Sequence, residues 1–279
     1  MEIVAERLFR NRSNIHTLYM FSSSRIRIVA SILALLGTVS IAYASHSWGG
    51  YHWARTANPF TLKLGDNVSS AWDNNLAVAS SDWSVSSVLD TAITTGTTDP
   101  RKCRAKSGRV EVCNAKYGNN GWLGVASIWV SGNHITQGIV KLNDSYFNTP
   151  TYNTVAWKNL VMCQEVGHTM GLDHQDEDFA NAPLGTCMDY TSDPMPNQHP
   201  NQHDYDQLET IYAHPDAFTT LKNNIAAARG NDKSNEELAD FGKAVKKSRH
   251  GRVSRFEKNM GKGDKVFTFV VWAGDTHAE

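Results

Sequence analysis

The chain has 279 residues, 41% of them hydrophobic, with 8 tryptophans and a formal net charge of -1. That size and apolar content suffice to bury a proper core, and the near-neutral balance excludes an overall attraction for nucleic acid. No zinc-finger, phosphate-loop or dinucleotide-binding motif competes with the features below.

Residues 1–44 read as a secretory signal. Arg7, Arg10, Arg12, Arg25 and Arg27 precede an apolar run from Ile28 to Ala42, and Ala42-Tyr43-Ala44 supplies a small-residue cleavage site. Ser31, Gly37, Thr38 and Ser40 interrupt the run, which is too short for a membrane span. A start at Met20 would give a more ordinary signal length. The mature, secreted protein then begins near Ser45.

The following stretch has the mixed order of an α/β (α+β) domain. Phe60, Leu62 and Leu64 alternate as a strand, and Asp66 is placed to cap a helix that uses Val68, Trp72 and Leu76. Trp83 and Val85 open another alternating run. Val110 and Val112 belong to a third, and Leu123 to Val130 and Ile139, Val140 and Leu142 supply two more. The four cysteines, at 103, 113, 163 and 187, suggest two disulfides in an exported chain, and four cysteines allow three connectivities. The favoured pairing joins Cys103 to Cys113 across a short hairpin turning at Lys106-Ser107-Gly108-Arg109, and Cys163 to Cys187.

The chemistry lies between Cys163 and His174, in Cys-Gln-Glu-Val-Gly-His-Thr-Met-Gly-Leu-Asp-His. A helix from about Val155 to Met170 is apolar round most of its circumference and should be buried, where Gln, Glu and His are costly unless something satisfies them. Gln164 and His168 are four apart and share one face, with Glu165 about 100° round the helix. Gly171 can end the helix in a left-handed turn and return His174 toward the same point. Neutral imidazoles are good zinc ligands, a catalytic zinc keeps one position open for water, and a carboxylate beside that water can take its proton.

Downstream, Gly185-Thr186-Cys187-Met188-Asp189-Tyr190 resembles the methionine turn of the metzincin superfamily. With the helix, the glycine turn and the last histidine in that order, the chain resembles the matrixin-like bacterial secreted peptidases, strongly from 157 to 190 and loosely over 45–214. The resemblance implies a twisted mixed sheet packed on an active-site helix, a Met turn and a C-terminal helix. It implies that His168 and His174 are zinc ligands, Glu165 the catalytic acid/base and Met188 the floor of the site. Tyr190 has the spacing of a tyrosine that reaches the metal in astacin-like and serralysin-like relatives; a core tyrosine with a bonded hydroxyl is an equal reading. In matrixins an edge strand above the metal holds the peptide substrate antiparallel, and Gly124, Val125 and Ala126 resemble that strand; an ordinary sheet edge is the plainer reading.

The departure is Gln164, where the family has histidine. Its amide oxygen is a weaker partner for zinc than imidazole. Three arrangements stay open: ligation through that oxygen, a supporting role beside a two-histidine site, or a non-catalytic descendant. A cysteine ligand is a weaker option, because Cys163 points about 100° away from Gln164. The expected function is a secreted, monomeric zinc endopeptidase acting on peptide or protein substrates. The rival is a non-catalytic secreted binding protein that keeps the scaffold.

The remaining segments carry less. His203 to Tyr212 reads as a closing helix, which ends a catalytic domain over 45–215. Asp173, Asp176, Glu177 and Asp178 could hold Ca²⁺, although a solvated loop is the plainer reading. Residues 216–279 form a basic extension. Its run from Lys243 to Lys262 could meet an anionic cell surface or simply face solvent, and Lys265 to Trp272 reads as a strand paired in a hairpin with Val253 to Lys258. No propeptide fits between Ala44 and the first strand, and the cysteine-switch motif of matrixin zymogens is missing, so latency through a thiolate on zinc is not expected.

Overall fold

The computed structural model describes residues 45–179, 181–222, 241–248 and 251–274. The signal segment 1–44 lies outside these residues, as does 223–240. Among the described residues no helix is long and apolar enough to cross a membrane. The described residues from Ser45 onward fall in one compact unit.

The unit is an α+β arrangement built on one nine-stranded mixed sheet. Its strands are β1 (His52–Trp53), β2 (Phe60–Asn67), β3 (Leu89–Thr95), β4 (Val110–Ala115), β5 (Trp122–Ser131), β6 (His134–Asn143), β7 (Lys243–Lys247), β8 (Val253–Gly261) and β9 (Asp264–Trp272). The order across the sheet is β3-β2-β4-β6-β5-β9-β8-β7, with β1 alongside β6. β2, β3, β4 and β6 are parallel, whereas β5 runs antiparallel to β6 through a two-residue turn whose first residue, Gly132, has φ 58°. A similar turn, Lys262-Gly263, joins β8 to β9 with both φ positive (56° and 86°). The C-terminal segment read as a hairpin therefore forms one.

Among the described residues four helices accompany the sheet: α1 (Asp73–Trp83), α2 (Asp144–Phe147), α3 (Val155–His168) and α4 (Gln202–Ile211). α3 starts where the Thr154 hydroxyl accepts from Trp157 N (3.2 Å), and nearly all of it is buried against α1, β5, β6 and β9. α4 starts with a capping box between Asn201 and Asp204.

Several expectations are corrected. Asp66 does not cap a helix: β2 continues through Asn67 because β3 and β4 pair on both sides, and α1 begins only at Asp73, with no side-chain cap. Trp83 ends α1 instead of opening a strand, because its indole donates to Cys163 O (3.1 Å) and locks α1 onto α3. The Cys103–Cys113 and Cys163–Cys187 bridges are both present. The first does not span a hairpin, however, since β4 takes its partners from β2 and β6, and Cys103 sits in a loop at φ 44°. The largest correction concerns β5, expected at an exposed edge. It is interior, with β6 on one side and β9 on the other.

The end of α3 is held with particular care. Trp48 Nε1 donates to His168 O (3.1 Å) and Trp53 Nε1 to Thr169 O (2.8 Å), which satisfies carbonyls that a helix terminus leaves bare. Gly171 then turns at φ 103°, and a Cβ there would lie 2.6 Å from Tyr51 O. Gly171→Ala meets both the forbidden φ and that carbonyl, so urea unfolding should show a loss of about 1–3 kcal/mol. Unchanged stability would mean the turn relaxes freely and does not fix His174.

Candidate functional site

α3 and the Gly171 turn bring the two expected histidines together. His168 and His174 are buried, and their Nε2 atoms lie 3.1 Å apart. Each ring is oriented from its other nitrogen. His168 Nδ1 is 2.9 Å from the Leu172 carbonyl, and His174 Nδ1 is 2.9 Å from Glu177 Oε1. A carbonyl only accepts, and so does an ionised carboxylate, so both Nδ1 atoms carry the proton and donate it. Burial alone would raise the Glu177 carboxyl, but the hydrogen bond from His174 and the charge on Lys246 bring its pKa down to about 2. Burial first, and His174 next, hold the His168 pKa well below the usual imidazole range, which keeps that ring neutral. With each Nδ1 engaged elsewhere, the two Nε2 atoms face one shared point, where a proton or a metal ion would satisfy both.

That geometry fits a zinc ion. At zinc–nitrogen distances of about 2.0–2.1 Å, a 3.1 Å separation subtends roughly 100° at the ion, close to tetrahedral. The backing of each imidazole by a carbonyl or carboxylate is the arrangement that orients histidine ligands on metals.

Glu165 is fully buried on the same helix, and neither carboxylate oxygen has a hydrogen-bond partner of good geometry. Burial pushes its pKa well above the ordinary carboxylate range, opposed only by the nearby backbone N–H groups of Val271 and Ala126. Room for it comes from Gly124 on β5, where a Cβ would lie 2.6 Å from Glu165 Oε1. Met188 lies beneath the helix, and a Cβ at Gly167 would come within 2.6 Å of its sulfur.

Gln164 is anchored to the Met turn. Its Nε2 donates to Cys187 O (2.7 Å) and Asp189 O (3.2 Å), beside the Cys163–Cys187 bridge. Only the amide oxygen remains to meet a metal. Tyr190 packs its ring edge-on to His174 (4.6 Å between centroids), but its hydroxyl donates to Val270 O on β9 (2.6 Å), so the bonded-core reading of this tyrosine describes the contact it makes.

Two members of the acidic cluster read as a calcium candidate, Asp173 and Glu177, are already paired with cations. Asp173 is 2.7 Å from Arg255 Nη1 and 3.1 Å from Lys246 Nζ, and Glu177 is 3.2 Å from Lys246. A calcium ion would have to displace two cations. The same contacts turn part of the Lys243–Lys262 run inward, where an outward-facing basic surface was one expectation.

The three residues matched to a substrate-holding strand are covered. Gly124, Val125 and Ala126 pair with Val271, Val270 and Phe269 of β9, and the Phe269 ring stacks on His168 at 4.1 Å between centroids and 14° between planes.

A second group of ligating side chains escaped the sequence reading. His52, His134 and His214 surround Asp216, brought together from β1, β6 and the segment after α4. No local spacing signals it, because its members are close only in space.

The Glu165 shift has a sign that experiment can read. A carboxyl raised above its unfolded pKa of about 4.3 binds an extra proton in the folded state, so it costs nothing below about pH 4 and destabilises progressively as pH rises through its folded pKa. In chelator-treated protein, Glu165→Gln should therefore melt at a higher temperature than wild type at pH 7 and at the same temperature near pH 4. A difference that persists unchanged at pH 4 would show that desolvation of the carboxylate is not the cause.

No family model matches the chain, and no curated protein matches it. Among solved structures, the crystal structure of myroilysin aligns at a TM-score of 0.33 and 9% identity, covering 63% of this chain and 97% of that one.

Proposed function

We propose that the protein is a zinc-dependent endopeptidase of metzincin type, with the matrixin-like secreted peptidases as its sub-type. The observation that carries the reading is the pair of buried Nε2 atoms 3.1 Å apart, each ring held from its Nδ1, with Glu165 on the same helix. His168 and His174 would hold the ion, with the Gln164 oxygen as the weaker third donor. Bound zinc supplies an acidified water and a polarised substrate carbonyl.

The chain's own groups supply the rest. Glu165 meets no side-chain donor, only the backbone N–H groups of Val271 and Ala126, and its raised affinity for a proton suits it to take one from the attacking water. The water oxygen adds to the peptide carbonyl carbon, the carbon–nitrogen bond breaks, and Glu165 passes the proton to the departing amine. Leu172 O and Glu177 keep the two imidazoles from turning away. Met188 and the Cys163–Cys187 bridge hold the helix in register with the turn below it. Export through the 1–44 segment belongs to the same proposal, and the two disulfides are compatible with it.

Elemental analysis of the purified full chain should find zinc that His168→Ala or His174→Ala removes. Cleavage of an unfolded protein should be chelator-sensitive and fall by about 10²-fold or more in Glu165→Gln. Full activity in Glu165→Gln, or cleavage that survives the chelator, would sink the reading. Stoichiometric zinc with no cleavage of several unfolded substrates, by wild type and by Phe269→Ala alike, would favour the non-catalytic binder.

A further inference from the structure

We infer that β9 is a built-in competitive inhibitor, occupying the sheet edge and the ring face that a peptide substrate would use. The inference rests on the peptidase reading and names how that site is regulated. β9 pairs antiparallel to β5 along nearly its whole length, from Trp122↔Trp272 to Ser131↔Asp264, and takes up main-chain groups that would otherwise be open for an extended peptide. Phe269 covers His168, the Tyr190 hydroxyl is committed to Val270 O, and the Val271 N–H sits against Glu165. Every candidate catalytic group thus has a β9 residue against it or on its neighbour.

The strand is also locked by charge. Lys246 on β7 and Arg255 on β8 reach back to Asp173 and Glu177, the residues flanking His174, and Arg255 lies over the Phe269 ring at 5.8 Å. The acidic loop and the basic extension, each featureless alone, are halves of one clamp. The clamp closes on the same loop that positions the metal ligand. Latency here needs no thiolate on zinc, because the occluding element enters from the C-terminal side.

The test uses the zinc-loaded full chain and a fluorescent peptide ending in a hydroxamate, which binds a zinc site without being turned over. Lys246→Glu combined with Arg255→Glu reverses the clamp, and Phe269→Ala removes the stacked ring without touching it. Each should bind the probe about tenfold more tightly or better than wild type and speed amide hydrogen exchange at residues 124–126. Equal probe affinity in wild type and both variants overturns the inference. Cleavage is a separate readout: variants that gain probe binding but cleave nothing leave β9 as an occluding strand and refute the peptidase reading instead.

A different observation carries a second site, independent of the first. The geometry points to a divalent transition-metal site at His52, His134, His214 and Asp216. Asp216 Oδ2 is held by Arg55 (Nη1 2.9 Å, backbone N 3.2 Å), which leaves Oδ1 facing His134 Nε2 at 3.2 Å and His52 Nε2 at 3.4 Å. His52 Nδ1 lies 2.9 Å from Gly50 O, which holds the ring with Nε2 turned toward that oxygen. Imidazole nitrogens and one carboxylate oxygen suit zinc or its first-row neighbours better than calcium. His214 is exposed, which gives an ion its entry. A metal there would fasten β1 to the segment beyond α4.

Elemental analysis after dialysis against zinc should show one zinc fewer per chain in the His134→Ala/His214→Ala double variant than in wild type, while His168→Ala loses a different one. If the double variant keeps the wild-type zinc content, whatever that content is, the second site does not exist.

Discussion

Two buried imidazoles meet Nε2 to Nε2 across 3.1 Å, an arrangement that needs a proton or a metal ion between them. Much of the surrounding structure maintains it. Trp48 and Trp53 tie off the last carbonyls of α3, so the helix ends where His168 needs it to end. Gly171 is then the only kind of residue that can take the φ of 103° and pass under Tyr51 O. Beyond it, Leu172 O and Glu177 use the outer nitrogen of each ring. Two nitrogens this close in low dielectric must share a cation, and under the proposed function that cation is zinc.

The same low dielectric governs Glu165. A carboxylate with no hydrogen bond and no water access holds its proton, and a nearby divalent charge would favour its release. The site is therefore dry for two reasons with opposite consequences. Dryness strengthens every electrostatic interaction that chemistry could use, and here it is produced by β9, which also excludes anything that chemistry could act on.

What could be read from the sequence and what could not divide along the range of the interactions. The i, i+4 spacing of Gln164 and His168, the glycine after the helix, the Met turn and both disulfide pairings are local or nearly so, and they appear where the residues place them. Trp83 was misread because its burial against Cys163 O is a tertiary contact that overrides alternation. Asp66 was misread because two parallel neighbours extend β2 past the polar residues that would normally end it. The covering of β5 by β9 left no trace in either segment, since main-chain pairing is chemically the same for any two strands. Charge carries no address either: Lys246 and Arg255 read as solvated until Asp173 and Glu177 are placed beneath them. The His52, His134 and His214 group is invisible in one dimension for the same reason.

Gln164 shows what one substitution at a ligand position exchanges. An amide offers two N–H donors and one oxygen, whereas a neutral imidazole offers one donor and one lone pair. Gln164 spends its amide nitrogen on two Met-turn carbonyls at once, Cys187 O and Asp189 O, which a ligating histidine could not do while also facing an ion. The exchange tightens the floor of the site at the cost of ligand strength, because the oxygen that remains is a neutral, hard donor to a borderline-soft metal. A weaker third ligand makes the ion depend more on the two histidines and on exclusion of competing water. Both are conditions that Phe269, stacked on His168, and Lys246, braced against Glu177, already enforce. Under the proposed function, Gln164 and the covering strand would act on one quantity, the residence of the ion, and a chain that carries the first would have a physical reason to carry the second.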